Sequence, residues 1–368
     1  MTSEFVYAQP VKIFFGQGEF KKLGAVLEEF GVTRAVLCCG RHFAPEAEKL
    51  LAEDSRIVAV FSQVEQNPQL SGIEETTRLC RAYCADGVIG IGGGSSLDTA
   101  KFAAAVAPNP GEPLDYYEGR RALVKENRLP VIAVPTTAGT GSEVTQVSVV
   151  SHGTEKKTIN NPAFMPAAAI VDPAMTLGVP PRTTMNTGLD AMAHALEGYW
   201  SRNHQPIPDL MAIEAVRLIL ENLEKAWRDG SDLDARTNMS YAALLGGLSF
   251  ALPKTAASHA CSYPLSEDYH LPHGEACAFT LDSLVRINAD ARLEELCRRV
   301  GLSSTEELAE RIRALKKLGG LRSRLSDLGE VDLDKLCRDC AAHPLMNNNP
   351  VKLDEAALRR MFEALGKR

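Results

Sequence analysis

Several features that mark particular classes of protein are missing from this chain of 368 residues. No apolar run reaches the roughly 18 residues of a membrane-spanning helix, and the N-terminal segment lacks the basic and then apolar plan of a signal peptide. The net charge is −7, whereas a nucleic-acid-binding protein typically carries an excess of positive charge. The nine cysteines are an odd number, and their scattered positions do not suggest a disulfide framework. We therefore expect a cytoplasmic protein with reduced thiols, and neither a membrane nor a nucleic acid as its partner.

The chain changes character near residue 180. Before that point, short apolar runs such as 34–39, 57–62, 87–92 and 130–136 alternate with amphipathic stretches, and VSVVSH and AAAIVDP add two further expected strands. Buried strands separated by helices predict a parallel sheet. After residue 180, nearly every segment has helical periodicity. We predict an α/β domain over residues 1–180 and an all-helical domain over residues 181–368, since the chain is also too long for one core.

Two polar loops follow predicted strands. In GIGGGSSLDTAK (90–101), three consecutive glycines let a backbone approach a ligand, and a helix starting at Ser95 offers free N–H groups to an anion, with Asp98 expected in its first turn. PTTAGTGSEVT (135–145) carries hydroxyls and glycines directly after a strand. Ligands of α/β sheets bind at such strand ends. Together the loops predict a dinucleotide site, although either loop alone also fits an ordinary tight connection.

A second set of residues is typical of a metal site. Asp190 and His194 are four residues apart on a predicted helix and so share one face. Alone, this pair fits a hydrogen-bonded pair that holds the helix better than it fits a metal site. The segment KTAASHACSYPLSEDYHLPHG (254–274) can supply two more ligands, His259 and His273, with His270 as an alternative that better fits a surface or cleft position. One carboxylate and three imidazoles suit Fe²⁺ or Zn²⁺ rather than Mg²⁺ or Ca²⁺.

In combination, GIGGGSSLDTAK, PTTAGTGSEVT, IVDPAMT, GLDAMAHALEGYWS and the spaced His259 and PHG resemble the iron-containing (group III) alcohol dehydrogenase family over essentially the whole chain. The resemblance implies an N-terminal dinucleotide-binding α/β domain and an all-helical C-terminal domain, the fold shared with dehydroquinate synthase. It implies NAD(P)(H) and Fe²⁺, with Zn²⁺ as the alternative metal. It implies the metal ligands Asp190, His194, His259 and His273. The implied cofactor residues are Gly93, Gly94, Ser95, Asp98, Thr136, Thr137, Thr140 and Thr145, with Lys157 near the nicotinamide ribose.

The chain departs from the family's usual pattern at three places. Tyr263 stands where many members have a second histidine, which leaves the proton donor open between Tyr263, His270 and water, and leaves open that Tyr263 only packs. Gly40 stands where many NAD-using members place an aspartate, and the neighbouring Arg41 can pair with a 2′-phosphate. We therefore expect NADP(H) to be accepted, with its preference over NAD(H) open. Lys254 is expected about one and a half helical turns before His259, near the metal, where most members have small or apolar residues.

The substrate prediction depends on Lys254. An ammonium beside the metal ligands suits an acidic substrate, and the polar run 347–350 offers further contacts to it; a lysine extended into solvent is the alternative. PKTAASHACSYPL, PHGEACAFTLDS and MNNNP resemble the phosphonoacetaldehyde reductase branch of the family. We therefore expect reduction of phosphonoacetaldehyde to 2-hydroxyethylphosphonate, a step of phosphonate metabolism. Other small aldehydes, alcohols or maleylacetate remain alternatives, as do a cyclase-type lyase resembling dehydroquinate synthase and a non-catalytic binding protein. The expected partners are a small anionic aldehyde or alcohol and a second copy of the chain in a homodimer.

Overall fold

The computed structural model describes residues 4–153 and 155–366, which form two compact units. One unit comprises residues 8–137 and 142–176. The described residues of the other unit are 4–7, 138–141 and 177–366. The change from sheet to helices therefore falls close to the predicted point. Two short segments from before residue 180, namely 4–7 and 138–141, nevertheless group with the helical unit. As functional domains, residues 1–180 and 181–368 stay a prediction.

The first unit contains a parallel sheet, as the buried apolar runs predict. The strands are β1 (Lys12–Phe15), β2 (Ala35–Gly40), β3 (Ile57–Val64), β4 (Gly87–Gly92), β5 (Val131–Pro135), β6 (Val147–His152), β7 (Glu155–Asn160) and β8 (Ala168–Val171). Six of them form one sheet in the order β1-β8-β5-β4-β2-β3, with parallel pairing throughout. VSVVSH is a strand, β6, but it lies outside this sheet and pairs antiparallel with β7.

Helices cover both faces of this sheet. They are α1 (Leu23–Glu29), α2 (Ala44–Glu53), α3 (Leu70–Ala82), α4 (Gly94–Val106) and α5 (Pro113–Tyr117). Along β2, Leu37 belongs to the same apolar cluster as Leu27 of α1, whereas its neighbour Cys38 belongs to the cluster of Ala100 in α4. Successive strand residues point to opposite faces, so a strand covered on both sides must be apolar throughout.

The strand order creates a crevice at the carboxyl ends of β4 and β2, two neighbouring strands inside the sheet. From β2 the chain continues to β3 on one side, and from β4 it continues to β5 on the other side. The loops that follow β2 and β4 therefore diverge at the carboxyl ends of two neighbouring strands, the place where α/β sheets bind ligands. Gly40 and Gly92 are the last residues of these two strands.

The second unit is helical, as predicted. Its helices are α6 (Pro181–Trp200), α7 (Pro206–Arg228), α8 (Leu233–Phe250), α9 (Ala257–Glu267), α10 (His273–Ile287), α11 (Ala291–Arg299), α12 (Thr305–Leu318), α13 (Leu333–Ala342) and α14 (Glu355–Gly366). One large apolar core joins them. Helix α6 lies at its centre and is buried on nearly all sides after its first turn. Among the described helices, none combines the length and apolarity needed to cross a bilayer.

Candidate active site

The structure brings the four predicted metal ligands together in the helical unit. Asp190 and His194 lie on the same face of α6, His259 lies in the first turn of α9, and His273 is the first residue of α10. Asp190 Oδ1 lies 3.9 Å from His194 Nδ1, 3.7 Å from His259 Nε2 and 3.8 Å from His273 Nε2. The Nε2 atoms of His194 and His259 are 3.0 Å apart. Their role as ligands stays a prediction that this geometry supports.

The donor set fits a divalent transition metal. Donors about 2.0–2.2 Å from one cation lie about 3.3–3.6 Å from one another in a tetrahedral site, close to the 3.7 Å and 3.8 Å from Asp190 Oδ1 to Nε2 of His259 and of His273. The two distances of His194 belong to different nitrogens of its ring, Nδ1 toward Asp190 and Nε2 toward His259. Asp190 Oδ1 is buried and, among the described residues, has no hydrogen-bond donor. A buried carboxylate oxygen without a donor is costly unless a cation meets it. Three imidazoles and one carboxylate favour iron or zinc.

The protonation of two of these histidines is set by their surroundings. Burial lowers the pKa of His194 to about 3, so its ring is neutral at pH 7 and can offer a lone pair. Burial also acts to lower the pKa of His259, but Cys277 and Glu197 outweigh it and raise that pKa well above its ordinary value. The Nδ1 atom of His259 is hydrogen-bonded to Glu197 Oε2.

Three residues beside the cluster were missed by sequence reasoning. Glu197 is fully buried three residues after His194, and a carboxylate inside the apolar stretch AMAHALEGYW was the available signal. Phe250 stacks on His194 with ring centroids 4.3 Å apart. The sulfur of Cys277 lies 3.8 Å from His273 Nε2, and ligand atoms of Asp190, His259, His273 and Cys277 all lie within 4.8 Å of one another. Cys277 is thus a second candidate, beside His194, for completing the ligand set.

The three residues considered for catalysis occupy different settings. Tyr263 lies one helical turn after His259 and stacks on His343, with ring centroids 4.3 Å apart. Burial, and secondly His259, lower the pKa of His343. His270 is exposed in a left-handed backbone conformation (φ +54°), as expected for a surface position.

Lys254 differs from its expected local structure. It lies in the connection between α8 and α9, in a left-handed conformation (φ +67°), and not on a helix one and a half turns before His259. The expectation of helical spacing was wrong because α8 ends at Phe250 and α9 starts only at Ala257. The side chain of Lys254 is exposed. It is therefore accessible to an anion, but it is not held in a dry environment.

The asparagine run after α13 supports this connection. Asn348 Nδ2 donates a hydrogen bond to the carbonyl of Thr255 at 2.8 Å. Asn349 is buried, and its amide forms a reciprocal pair with that of Asn288, both hydrogen bonds being 2.9 Å long. Asn347 is exposed. The side-chain amides of Asn348 and Asn349 are thus used in contacts within the protein. They are therefore less available to a substrate than the sequence suggested.

The glycine-rich loop in the sheet unit has the geometry of an anion site. Gly93 is the N-cap of α4, and no side chain within the described part of the chain caps this helix end. Gly93, Gly94 and Ser95 are partly exposed there, so their N–H groups are accessible. Gly92 has φ +148°, and a Cβ at this position would lie 2.4 Å from Ser96 Oγ. The loop therefore requires glycine where it turns.

Asp98 has a different role from the one expected. It is the fifth residue of α4 and does not cap the helix from the first turn. Its Oδ1 accepts a hydrogen bond of 2.5 Å from Ser142 Oγ and lies 3.1 Å from the buried Lys101 Nζ, and its Oδ2 accepts one of 2.9 Å from the Val149 amide. Burial lowers the pKa of Lys101, and Asp98 opposes that shift. Asp98 thus fixes the second polar loop to α4, while direct cofactor contact stays a prediction.

The second polar loop is divided between the two units. Thr136 and Thr137 follow β5, and the Thr136 amide donates a hydrogen bond to the carbonyl of Gly92 at 2.9 Å, which joins the two loops. Thr145 is buried, with its carbonyl 3.4 Å from Lys101 Nζ. Thr140 belongs to the segment 138–141, which groups with the helical unit.

The two glycines of AGTG serve helix packing. A Cβ on Gly139 would lie 2.8 Å from Cβ of Thr187 in α6, and one on Gly141 would lie 2.3 Å from Cα of Gly247 in α8. The sequence suggested that these glycines expose amides to a phosphate. In the structure their missing side chains allow close contact with helices of the same unit.

The remaining cofactor candidates lie elsewhere on the sheet unit. Gly40 ends β2 and Arg41 is exposed in the loop that follows, at the crevice beside β4. Lys157 lies on β7, with its ammonium 4.4 Å from the centroid of the Tyr117 ring and 3.3 Å from Glu155. The nine cysteines all lie in the described residues, and none is in a disulfide.

Comparison with known proteins agrees with this architecture. Residues 10–173 match the model of the iron-containing alcohol dehydrogenase domain, and residues 184–366 match that of the C-terminal domain of the same family. The long-chain-alcohol dehydrogenase 1 of Geobacillus thermodenitrificans is 37% identical over 330 residues, covering 85% of this chain and 83% of that protein. A sulfoacetaldehyde reductase of Bilophila wadsworthia is 30% identical, covering 98% of both chains. The crystal structure of sulfoacetaldehyde reductase from Bifidobacterium kashiwanohense in complex with NAD⁺ superposes with a TM-score of 0.94 at 38% identity, covering 99% of both chains.

The fold and the matches define an oxidoreductase that acts on alcohols or aldehydes, which confirms the predicted enzyme class. The chain belongs to the iron-containing alcohol dehydrogenase family.

Proposed function

We propose that this enzyme uses NAD(P)H to reduce a short aldehyde that carries a tetrahedral anionic group, with phosphonoacetaldehyde as the first candidate and sulfoacetaldehyde as its close analogue. The observation that carries this substrate class is the likeness, over nearly the whole chain, to two proteins named sulfoacetaldehyde reductases. Phosphonate and sulfonate share their tetrahedral shape and their negative charge. A site that accepts one therefore resembles a site for the other, and the charge on the tail is the property that a cation recognises.

The metal is assigned to the cluster of Asp190, His194, His259 and His273 in the helical unit. The nicotinamide cofactor is assigned to the loops after β2, β4 and β5, where free N–H groups at the start of α4 suit a diphosphate. When bound, the metal supplies a Lewis acid for the substrate carbonyl, and the reduced nicotinamide supplies the hydride. Asp190, His194 and His259 are buried, whereas the side chain of His273 is 33% exposed, so the cluster is open to a ligand on the His273 side.

Lys254 is the proposed contact for the anionic tail. Its exposed ammonium lies on the connection that leads into α9, five residues before His259. The side-chain amide of Asn348 donates a hydrogen bond to the backbone carbonyl of Thr255, which fixes this connection. Because the left-handed conformation of Lys254 holds the start of its side chain in a defined direction, an ion pair there would also orient the aldehyde end.

Protonation of the product is assigned to water or to Tyr263. Tyr263 lies on the same helix face as His259, four residues later, and its ring is held by His343. His270 is exposed and has no comparable support from a neighbouring ring, so it is the weaker candidate.

A panel of aldehydes tests the substrate class. We expect phosphonoacetaldehyde and sulfoacetaldehyde to give a higher kcat/KM than uncharged aldehydes of the same length, such as propanal. Succinic semialdehyde and maleylacetate test whether a carboxylate suffices. Comparison of the first two substrates distinguishes the phosphonate from the sulfonate. A preference for propanal over every anionic aldehyde would refute the proposal.

The cofactor preference is tested separately. Gly40 offers no carboxylate that would repel a 2′-phosphate, and the exposed Arg41 can pair with it. We expect NADPH to be accepted, and Arg41→Ala to raise the KM for NADPH while leaving the KM for NADH nearly unchanged. The homodimer and the cytoplasmic location also remain proposals, the first testable by light scattering.

A further inference from the structure

Glu197 makes an unusual set of contacts for a charged side chain. It lies on α6, three residues after His194, and its side chain is fully buried. One carboxylate oxygen accepts a hydrogen bond of 2.5 Å from the Ser258 amide and lies 3.4 Å from the His259 amide. The other oxygen is bonded to His259 Nδ1. The same carboxylate therefore binds both the start of α9 and the ring of a predicted metal ligand.

These contacts select one form of the His259 ring. An ionised carboxylate only accepts hydrogen bonds, so His259 Nδ1 must carry the proton. In the neutral ring that metal binding requires, the lone pair then lies on Nε2, the atom that is 3.0 Å from His194 Nε2 and 3.7 Å from Asp190 Oδ1. Only this tautomer presents a donor atom to the centre of the cluster.

The contacts also link the three helices that carry the ligands. Glu197 on α6 binds the first turn of α9 through Ser258. The hydroxyl of Ser258 donates a hydrogen bond of 2.6 Å to the carbonyl of Cys277 on α10, one helical turn after His273. The positions of His259 and His273 relative to α6 therefore depend on one connected group of hydrogen bonds.

The charge of Glu197 gives this network a further consequence. The hydrogen bonds described for its carboxylate come from the backbone amides of Ser258 and His259 and from the His259 ring, which is uncharged in the form that binds a metal. A buried carboxylate without a full counter-charge is unfavourable. A cation on the other side of the His259 ring supplies the counter-charge, so the carboxylate strengthens cation binding and makes the ring a better donor.

We propose that Glu197 is the residue that positions the metal centre, by holding His259 in the Nδ1–H tautomer and aligning α9 with α6. The proposal rests on the metal site of the proposed function. It concerns the assembly of that site and makes no statement about the substrate.

The decisive variant is Glu197→Gln, which keeps the size of the side chain. If the amide oxygen accepts from the Ser258 backbone, the amide NH₂ faces His259 Nδ1 and requires the opposite tautomer. Nε2 then carries the proton and cannot bind a metal. We expect Zn²⁺ affinity, measured by chelator competition, to fall by about tenfold to 100-fold. Glu197→Asp retains the carboxylate and is expected to recover part of this loss.

Asp282→Asn is the matched control. Asp282 is also buried, but it pairs with Lys316 at 2.5 Å, away from the cluster. We expect its loss to lower stability and to leave Zn²⁺ affinity unchanged. Wild-type affinity in Glu197→Gln, or an equal loss in Glu197→Gln and Asp282→Asn, would overturn the role of Glu197. Absence of Zn²⁺ or Fe²⁺ binding by the wild-type protein would instead refute the metal site.

A measurement on the wild-type protein keeps the test independent of variant folding. In the zinc-loaded protein labelled with ¹⁵N-histidine, we expect His259 to show a protonated Nδ1 and a metal-bound Nε2. Coordination through Nδ1, or a ring that stays unbound, would contradict the proposal even if every Glu197 variant failed to fold.

Discussion

The Nε2 atoms of His194 and His259 lie 3.0 Å apart in a buried cluster, next to a carboxylate oxygen that has no hydrogen-bond donor among the described residues. When a cation lies between these atoms, both rings direct a lone pair at it. Without a cation, one ring must keep a proton on Nε2 and donate it to the other. The close approach of the two nitrogens fits either a shared proton or a bound metal, and the carboxylate oxygen without a donor favours the metal.

His194→Ala removes one of these nitrogens. We expect the variant to bind Zn²⁺ or Fe²⁺ at least about 100-fold more weakly, since even loss of a hydrogen-bond partner of a ligand costs ten- to 100-fold in affinity. Metal content after dialysis and the rate of NAD(P)H oxidation measure the effect. His270→Ala, at an exposed position, is the control for metal content and should retain its metal.

Cys277→Ser distinguishes the two possible ligand sets. If His194 completes the set, the variant keeps its metal and most of its activity. In the cobalt-substituted wild type, a thiolate charge-transfer band in the near ultraviolet that disappears in Cys277→Ser would show instead that sulfur is a ligand. We expect no such band, because the buried Cys277 packs 3.8 Å from His273 Nε2 and burial raises its pKa.

Lys254→Ala tests the contact with the anionic tail. An ion pair that remains in contact with solvent contributes up to about 1 kcal/mol, so we expect the KM for phosphonoacetaldehyde to rise about fivefold. The KM for propanal should not change. The difference should shrink as salt is added, because exposed charges are screened. Lys225→Ala, an exposed lysine on α7, should leave both KM values unchanged; an equal rise for both substrates would exclude a charge-specific role for Lys254.

Gly141→Ala tests the close packing of the second polar loop. Gly141 and Gly153 both have φ +62°, but a Cβ on Gly141 would lie 2.3 Å from Cα of Gly247, whereas one on Gly153 would have nothing within 4 Å. We expect Gly153→Ala to lower the free energy of unfolding by about 1 kcal/mol through backbone strain alone. Gly141→Ala should lower it by about 3 kcal/mol or more, since overpacking adds to the strain. Urea unfolding measures both, and equal losses would contradict the packing described for Gly141.

The raised pKa of the buried Glu143 is expected to make the free energy of unfolding depend on pH. Burial raises its pKa from 4.5 to about 7, and Lys101 opposes the shift. The folded state thus keeps the proton while the unfolded chain has already lost it, so stability falls as pH rises from about 4.5 to about 7. The full effect amounts to roughly 3 kcal/mol.

Glu143→Gln removes this titration. We expect the urea midpoint of the wild type to fall more than that of the variant between pH 5 and pH 8. Glu310→Gln, at an exposed position on α12, is the control and should follow the wild type. Parallel pH profiles for the wild type and Glu143→Gln would contradict the raised pKa of Glu143.

Features with a local origin were predictable from the sequence. The apolar runs predicted the strands of the parallel sheet because a strand covered on both faces has no polar side. The four-residue spacing of Asp190 and His194 placed them on one helix face. The GGGSS segment gave the uncapped start of α4. Local pattern failed at Lys254, where helical spacing was assumed across a connection. VSVVSH is the strand that its pattern predicted, but its pairing with β7 outside the main sheet was decided by the tertiary structure.

What the sequence by itself determined is therefore the type of each element and the set of residues that can bind a metal or a phosphate. Only the tertiary structure decided that Glu197 binds His259, that Asp98 is committed to Lys101 and Ser142, and that Asn349 pairs with Asn288. Apart from the Asp98–Lys101 pair within α4, these contacts join residues on different elements, between 44 and 62 positions apart in the chain. Helical or strand periodicity shows which face of an element is apolar, but hydrogen bonds between side chains depend on how the elements pack, to within a fraction of an ångström.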